Sequence, residues 1–223
     1  MNSLQMFTYD LLERKLEIAK HKLSLIAVRD TNDLLDRIDV DEFNTDERLP
    51  YWAEIWPSSI ALSEYLCSKD IYGKSVLELG CGVGVAGIVA ALEGAKVLMT
   101  DYEEDALKFT RMNIEKNFTQ EMLDSLVEVM YLDWRTPTLS EKFDLIVGSD
   151  LIYEERNHEP ILNLIKQYLI EDGEAILTDP NRSTLEKFLL SADQFGFKMS
   201  RSESQVQFNE KATNVATIVL KKK

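Results

Sequence analysis

Four acidic residues stand at the ends of short apolar runs, and one of those runs empties into glycines: Ser75-Val76-Leu77-Glu78-Leu79-Gly80-Cys81-Gly82-Val83-Gly84. Asp101 closes the run from Lys96 to Thr100, Asp133 follows the run from Leu126 to Tyr131, and Asp150 ends the run that opens at Phe143. A carboxylate can grip the two hydroxyls of a ribose or face a cation. Gly80, Gly82 and Gly84 let the backbone turn sharply and come close to a ligand, because no Cβ stands in the way. The helical run Val85 to Leu92 follows, rich in small residues and stopped by Gly94. Asp101 comes seventeen residues after Gly84. Strand, glycine loop, helix, strand and terminal acid make one βαβ nucleotide-binding unit.

The kind of nucleotide follows from register and charge. Gly82 to Gly87 matches the dinucleotide pattern G-x-G-x-x-G as a string. Counted from Gly80, where the strand ends, Val85 occupies the place of the third glycine. Glu78 beside the loop is expected to repel a pyrophosphate, by about 4 kcal/mol at roughly 4 Å and an effective dielectric near 20. The loop itself holds no Lys or Arg. A cationic, phosphate-free adenosine ligand fits instead. S-adenosylmethionine is therefore the expected cofactor, with its ribose on Asp101 and its ammonium and sulfonium facing the acids.

These groups need a scaffold, and 223 residues with 45% hydrophobic content suffice for one domain with its own core. The longest apolar run, Val85 to Leu92, is far too short for a membrane span, and Met1 to Phe7 carries no secretion-signal pattern. Cys67 and Cys81 read as reduced intracellular thiols, pointing to the cytoplasm. Neither has metal-ligand spacing, and with His21 and His158 the only histidines no metal site is expected. The net charge of −14 disfavours a nucleic-acid partner. It suits a basic, lysine-bearing protein surface, or simply keeps the chain in solution.

Residues 1–48 form an N-terminal extension, ahead of a main domain at 49–223. Leu12, Leu16, Ala19, Leu23 and Ile26 fit a helix stripe; Leu16/Ile18 and Leu23/Leu25 fit two strands turning at Lys20-His21-Lys22. A hairpin is the preferred reading, followed by a short helix from about Thr31 to Ile38 and a link at Asn44 to Arg48. Leu49 to Ser59 holds two of the three tryptophans, and Pro57 favours a helix start. Its aromatics either wall a cation-accepting pocket or plug the core. Helices are expected over Tyr102–Asn117, Pro160–Ile170 and Ser183–Phe195. Strands are expected over Leu126–Tyr131, Phe143–Asp150, Glu174–Thr178, Phe197–Arg201 and Ala212–Leu220, with a turn at Asp172-Gly173 and a frayed tail at Lys221 to Lys223. This alternation predicts an α/β fold, an α-β-α sandwich with a Rossmann-like, mainly parallel sheet. Ligands in such sheets sit at the carboxyl ends of the strands, which brings Glu78, Asp101, Asp133 and Asp150 to one rim. There Asp133 can accept from an adenine amine while Trp134 covers the ring, or the two are an ordinary loop acid and a half-buried ring.

Over roughly residues 50 to 220 the chain resembles the seven-strand class I S-adenosylmethionine methyltransferases. Glu78-Leu79-Gly80-Cys81-Gly82-Val83-Gly84 looks like their first motif, and Phe195-Gly196-Phe197 like the approach to their late antiparallel strand pair. Two stretches are similar to methyltransferase family 16, which includes protein lysine methyltransferases: Tyr51-Trp52-Ala53-Glu54-Ile55-Trp56-Pro57, and the Asp-x-x-Tyr of Asp150-Leu151-Ile152-Tyr153. The resemblance implies seven strands with the last pair antiparallel. It implies that Trp56 lines the methionine part of the cofactor, Asp101 holds the ribose, and Asp133 and Trp134 frame the adenine. Glu78, Gly80, Cys81, Gly82, Gly84, Tyr102 and Ser149 complete the expected cofactor contacts. Asp150 and Tyr153 border the acceptor channel as the catalytic pair.

The expected reaction is in-line methyl transfer to an amine nitrogen, most naturally a protein lysine. Ser149-Asp150-Leu151-Ile152-Tyr153 replaces the Asn-Pro-Pro-Tyr that suits planar amides and base amines. A small-molecule N-methyltransferase and a non-catalytic interaction protein are the rival readings. The first would leave no labelled protein band on a gel, and the second would transfer nothing.

Overall fold

The computed structural model describes residues 10–30, 34 and 50–223. The expected helix near Thr31 to Ile38 and the link at Asn44 to Arg48 fall almost wholly outside these residues. Seven strands form one sheet in the order β5-β4-β3-β6-β7-β9-β8. They are β3 (Ser75–Leu79), β4 (Lys96–Asp101), β5 (Val127–Tyr131), β6 (Phe143–Ser149), β7 (Leu169–Asp179), β8 (Phe197–Phe208) and β9 (Lys211–Lys222). The pairs from β5 through β7 are parallel, and β9 runs antiparallel to both β7 and β8. The fold is the expected Rossmann-like sandwich.

Helices cover both faces, so alternate residues of each central strand enter different apolar clusters. Val76 joins the cluster beneath α1 (Pro57–Cys67), α2 (Val85–Leu92) and α3 (Glu104–Asn117); Leu77 and Leu79 join the one beneath α5 (His158–Tyr168) and α6 (Leu185–Gln194). Glu78 has the parity of Val76, so its acid is committed to the covered side under α2. Residues Val85 to Ala91 of α2 are all buried, which their small size permits. Pro57 opens α1 at the first helical position, where its missing N–H costs nothing.

The N-terminal segment is a hairpin, β1 (Leu11–Ile18) and β2 (His21–Val28). It turns one position earlier than expected, at Ala19-Lys20, with Ala19 in the left-handed region at φ 50°. Leu23, Leu25, Ile26 and Val28 are buried in the first cluster. Two asparagines of α3 treat β2 as if they were a neighbouring strand. Asn113 accepts from Ile26 N at 2.6 Å and donates to Ile26 O at 3.0 Å; Asn117 accepts from Ser24 N at 3.0 Å and donates to Ser24 O at 2.9 Å. Asn113 also donates to Val83 O at 2.8 Å, tying the hairpin to the glycine loop. At the turn, Lys20 and His21 both meet Glu93 at the end of α2, at 2.9 and 2.6 Å. Burial raises the Glu93 carboxyl, and hydrogen bonds from Lys20 and His21 outweigh it, leaving it below the usual range.

Several details differ from expectation, among them β8, which runs on to Phe208 instead of ending at Arg201, and β7, which begins at Leu169 where the sequence pattern predicts a helix to Ile170. A short helix, α4 (Gln120–Leu126), precedes β5. Asp172-Gly173 lies inside β7: between the pairs Phe143/Leu169 and Leu145/Glu174 the register jumps, so β7 bulges. A Cβ on Gly173 would stand 2.9 Å from Asp144 O, so glycine here serves close backbone approach rather than a chain reversal. Lys221 to Lys223 do not fray. Strand β9 reaches Lys222, and ion pairs join Lys221 to Glu174 and Lys223 to Asp193, both at 2.8 Å. No helix among the described residues is long and apolar enough to cross a membrane.

Replacing Asn113 with Ala strands Ile26 N, Ile26 O and Val83 O at a buried junction. The expected cost is about 2–4 kcal/mol, read as a lower midpoint in urea unfolding, with hydrogen exchange accelerated first in β2.

Candidate active site

Order reverses at β3, with β4 on one side and β6 on the other. Carboxyl ends diverge at such a point and leave a crevice. The cavity there is lined by Trp56, Gly80, Cys81, Gly82, Asp101 and Tyr102, and further on by Trp134, Ser149, Asp150 and Tyr153. Ten of the expected site residues thus share one cavity. Glu78, Gly84 and Asp133 do not line it.

Glu78 corrects the charge argument. It is 3% exposed and its Oε2 has no hydrogen-bond partner. Burial pushes its carboxyl up to about 8; an amide bond from Gly87 lowers it and the Asp101 charge raises it further. At neutral pH it is mostly uncharged, so it is no anionic screen against a pyrophosphate. A Cβ on Gly87 would stand 2.3 Å from Glu78 Oε2. The last glycine of the dinucleotide-like string is there to make room for this acid. Gly84, at φ 88°, caps α2 in front of Met99 and Thr110 instead of facing the cavity. Asp133 is turned to Arg135, whose Nε and Nη2 reach its Oδ1 and Oδ2 at 2.9 and 2.8 Å. Its side chain follows the nearest guanidinium, which spacing along the strand did not reveal.

Gly80 and Gly82 have φ of 61° and 53°, and each faces a filled neighbour. A Cβ on Gly80 would meet Leu151 at 2.6 Å, and one on Gly82 the carbonyl of Trp52 at 3.1 Å. Asp101 pins this loop, its Oδ2 accepting from Gly82 N at 2.9 Å and its Oδ1 from Glu103 N at 3.0 Å. Burial raises its carboxyl, and these amides pull it back. The Cys81 thiol is pushed well up by burial and contacts Thr110 Oγ1 at 3.3 Å, so it is no nucleophile.

The aromatic segment divides between its two readings. Trp52 does both, packed on Phe109 with centroids 5.2 Å apart and lining the cavity as well. Trp56 is a wall, its Nε1 donating to Tyr51 O at 2.8 Å. Tyr51 meets both Trp56 and Tyr153 edge to face, with centroids 6.0 and 5.6 Å apart. At the far end Tyr102 and Trp134 stand 6.3 Å apart. Asp150 has φ 57° and donates its N–H to Thr178 O at 2.8 Å. Its carboxylate is gripped by Arg182, Nε to Oδ1 at 2.7 Å and Nη2 to Oδ2 at 3.1 Å. Burial pushes the Tyr153 hydroxyl up to about 12, so it stays a phenol. Sequence reasoning missed Arg182, Trp52 and Leu151. The rule that picked out Asp150, polar residues just beyond a strand's carboxyl end, would have found Arg182 past Asp179.

A family profile described as lysine methyltransferase matches residues 42–194. The chain is 40% identical to protein N-lysine methyltransferase METTL21A of Xenopus tropicalis over 114 residues, 49% of this chain and 52% of that one. It is 33% identical to the calmodulin-lysine N-methyltransferase of Arabidopsis thaliana over 67% of this chain and 52% of that one. The match spans about half the length of each relative. Among solved structures, a TehB-like SAM-dependent methyltransferase from Corynebacterium glutamicum shares the fold, with TM-score 0.59, 20% identity, and coverage of 86% of this chain and 98% of that one.

Because the Glu78 carboxyl titrates near 8 when folded and near 4.5 in the open chain, the ligand-free fold holds the extra proton between those values. Its stability therefore falls as pH rises through that window. Glu78→Gln should remove the loss: by differential scanning fluorimetry the variant melts above the wild type at about pH 8, and the gap closes as the pH is lowered.

Proposed function

The chain belongs to the lysine methyltransferase family, and on that premise we propose that it transfers a methyl group from S-adenosylmethionine to the side-chain amine of a lysine in a protein. One observation carries the reading: Asp101 and the Asp150–Tyr153 pair open into the same cavity from opposite sides of β3. A nucleoside grip and an amine-facing carboxylate therefore share one space.

The residues present fit the cofactor. Asp101 accepts from the backbone amides of Gly82, Glu103 and Tyr102, which still leaves acceptor capacity on its carboxylate for a ribose hydroxyl. Tyr102 and Trp134 offer rings to a purine. Gly80 and Gly82 bare their backbone, and beneath them Glu78 keeps an unpaired oxygen. In place of Asp133, Trp134 and Tyr102 carry the adenine end, and Trp56 borders the methionine end. S-adenosylmethionine supplies an electrophilic methyl on a sulfonium. The chain's residues align an amine with it: Asp150 orients the nitrogen through its carboxylate, and the Tyr153 phenol oxygen accepts from an amine N–H, which aims the free lone pair at the methyl. The amine must attack uncharged, and a free lysine has a pKa of about 10.4, so its proton leaves to water. Alignment in a preorganised site supplies the acceleration.

The acidic chain, with net charge −14, supports a partner whose lysine lies in a basic segment. The two free thiols, Cys67 and Cys81, support a cytoplasmic setting.

Asp150→Ala should cut methyl transfer by at least about 100-fold while isothermal titration gives unchanged affinity for S-adenosylmethionine. Tritiated-methyl labelling of a whole lysate with the purified enzyme should give discrete protein bands. Label confined to small molecules would overturn the protein-lysine reading, and full turnover by Asp150→Ala would remove that residue from the mechanism.

A further inference from the structure

Arg182 stands in the acceptor end of the cavity, where a lysine amine would bring a second positive charge. It is the one cation lining that cavity among the described residues. It bonds both carboxylate oxygens of Asp150, at 2.7 and 3.1 Å, and the Asp150 side chain is 8% exposed against 38% for Arg182. The guanidinium carbon lies 5.9 Å from the Trp56 ring and 6.0 Å from the Tyr153 ring. Its backbone is anchored too, Arg182 N donating at 2.6 Å to Asp179, which is buried. The carboxylate, both rings and the loop anchor all hold the guanidinium in one place.

The position matters because of what Asp150 would do alone. An opposite charge within about 4–6 Å of a titrating group moves its pKa by roughly 1–3 units toward the charged form. An unpaired Asp150 would hold an incoming lysine as its ammonium, whose nitrogen has no lone pair with which to attack. The other charged or titratable groups facing this place do not undo that effect. Asp179 lies below, at the end of β7, and adds negative charge. Glu54 lies on the cavity wall, and Tyr51 and Tyr153 carry phenols. Glu154, after β6, is paired with Arg156. Only Arg182 opposes Asp150 directly.

We propose that Arg182 is a positioning residue for the acceptor's proton: by neutralising Asp150 it lets the lysine nitrogen stand at the end of the channel as the free amine, its proton having passed to water. Asp150 then orients the amine without trapping it as the cation. The inference rests on the methyl-transfer reading above.

The test is kcat and KM across about pH 7 to 10 for wild type, Arg182→Gln and Arg182→Lys, with a synthetic arginine-flanked peptide carrying a single lysine. The rising limb of kcat reports the amine bound to the enzyme. In Arg182→Gln it moves to higher pH by about 1–3 units, while KM falls near neutrality because the ammonium is held more tightly. Arg182→Lys keeps the charge and loses the fork, so its limb stays at the wild-type pH although kcat is lower. A kcat lowered by the same factor at every pH, or a limb that moves equally in both variants, would overturn the proposal and leave Arg182 a structural brace. Titration with S-adenosylmethionine and a melting curve for each protein check folding and cofactor binding. Should Arg182→Gln melt early, Arg182→Met repeats the neutral test. If the folded, cofactor-binding wild type transfers no methyl to lysine in this peptide or in the lysate, the functional reading fails, and this inference with it.

Discussion

The turn out of β3 is crowded from every side, and that crowding governs much of what surrounds it. Leu151 presses on Gly80, the Trp52 carbonyl backs Gly82, and Glu78 with Met99 fills the space over Gly87. A side chain at Gly80 or Gly82 would displace a neighbour that itself lines the cavity, and one at Gly87 would displace the buried Glu78. Interiors are packed too densely to absorb such shifts cheaply. The glycines therefore serve two purposes. Two of them bare backbone toward the cavity, and Gly87 gives a buried acid somewhere to sit.

Charge in the site is arranged by burial more than by count. The chain carries 39 acidic and 25 basic residues, yet the acid nearest the loop is shielded and mostly protonated, while Asp150 is matched by a guanidinium. Asp101 lines the cavity at the glycine loop, steadied by backbone amides that include those of Gly82 and Glu103. A site built this way offers a cationic nucleoside shape, aromatic rings and carboxylate acceptors.

The N-terminal hairpin is part of the same construction. Asn113 reaches from α3 to β2 and to the carbonyl of Val83 with one amide group, so the hairpin and the glycine loop share a buried hydrogen-bonding partner. The Glu93 contacts with Lys20 and His21 fasten the other end of the hairpin to α2. Cys67 joins that cluster: ligand atoms of His21, Cys67 and Glu93 lie within 4.8 Å of one another, a grouping that residue spacing does not reveal because the three belong to different elements.

Local pattern determined a good deal by itself. Hydrophobic period, glycine placement and the acid at each strand end specified the succession of strands and helices along the chain, the loop and the edge where ligands gather, since these depend on contacts between near neighbours in the chain. For the N-terminal segment hydrophobic period fits a helix stripe as well as two strands, and packing against the domain shows the hairpin. Tertiary structure alone decided the charge of Glu78, the turning of Asp133 to Arg135, and the pairing of Asp150 with Arg182, thirty-two residues away. Each of those depends on desolvation or on a partner brought close by the sheet, and neither quantity exists until the chain has folded.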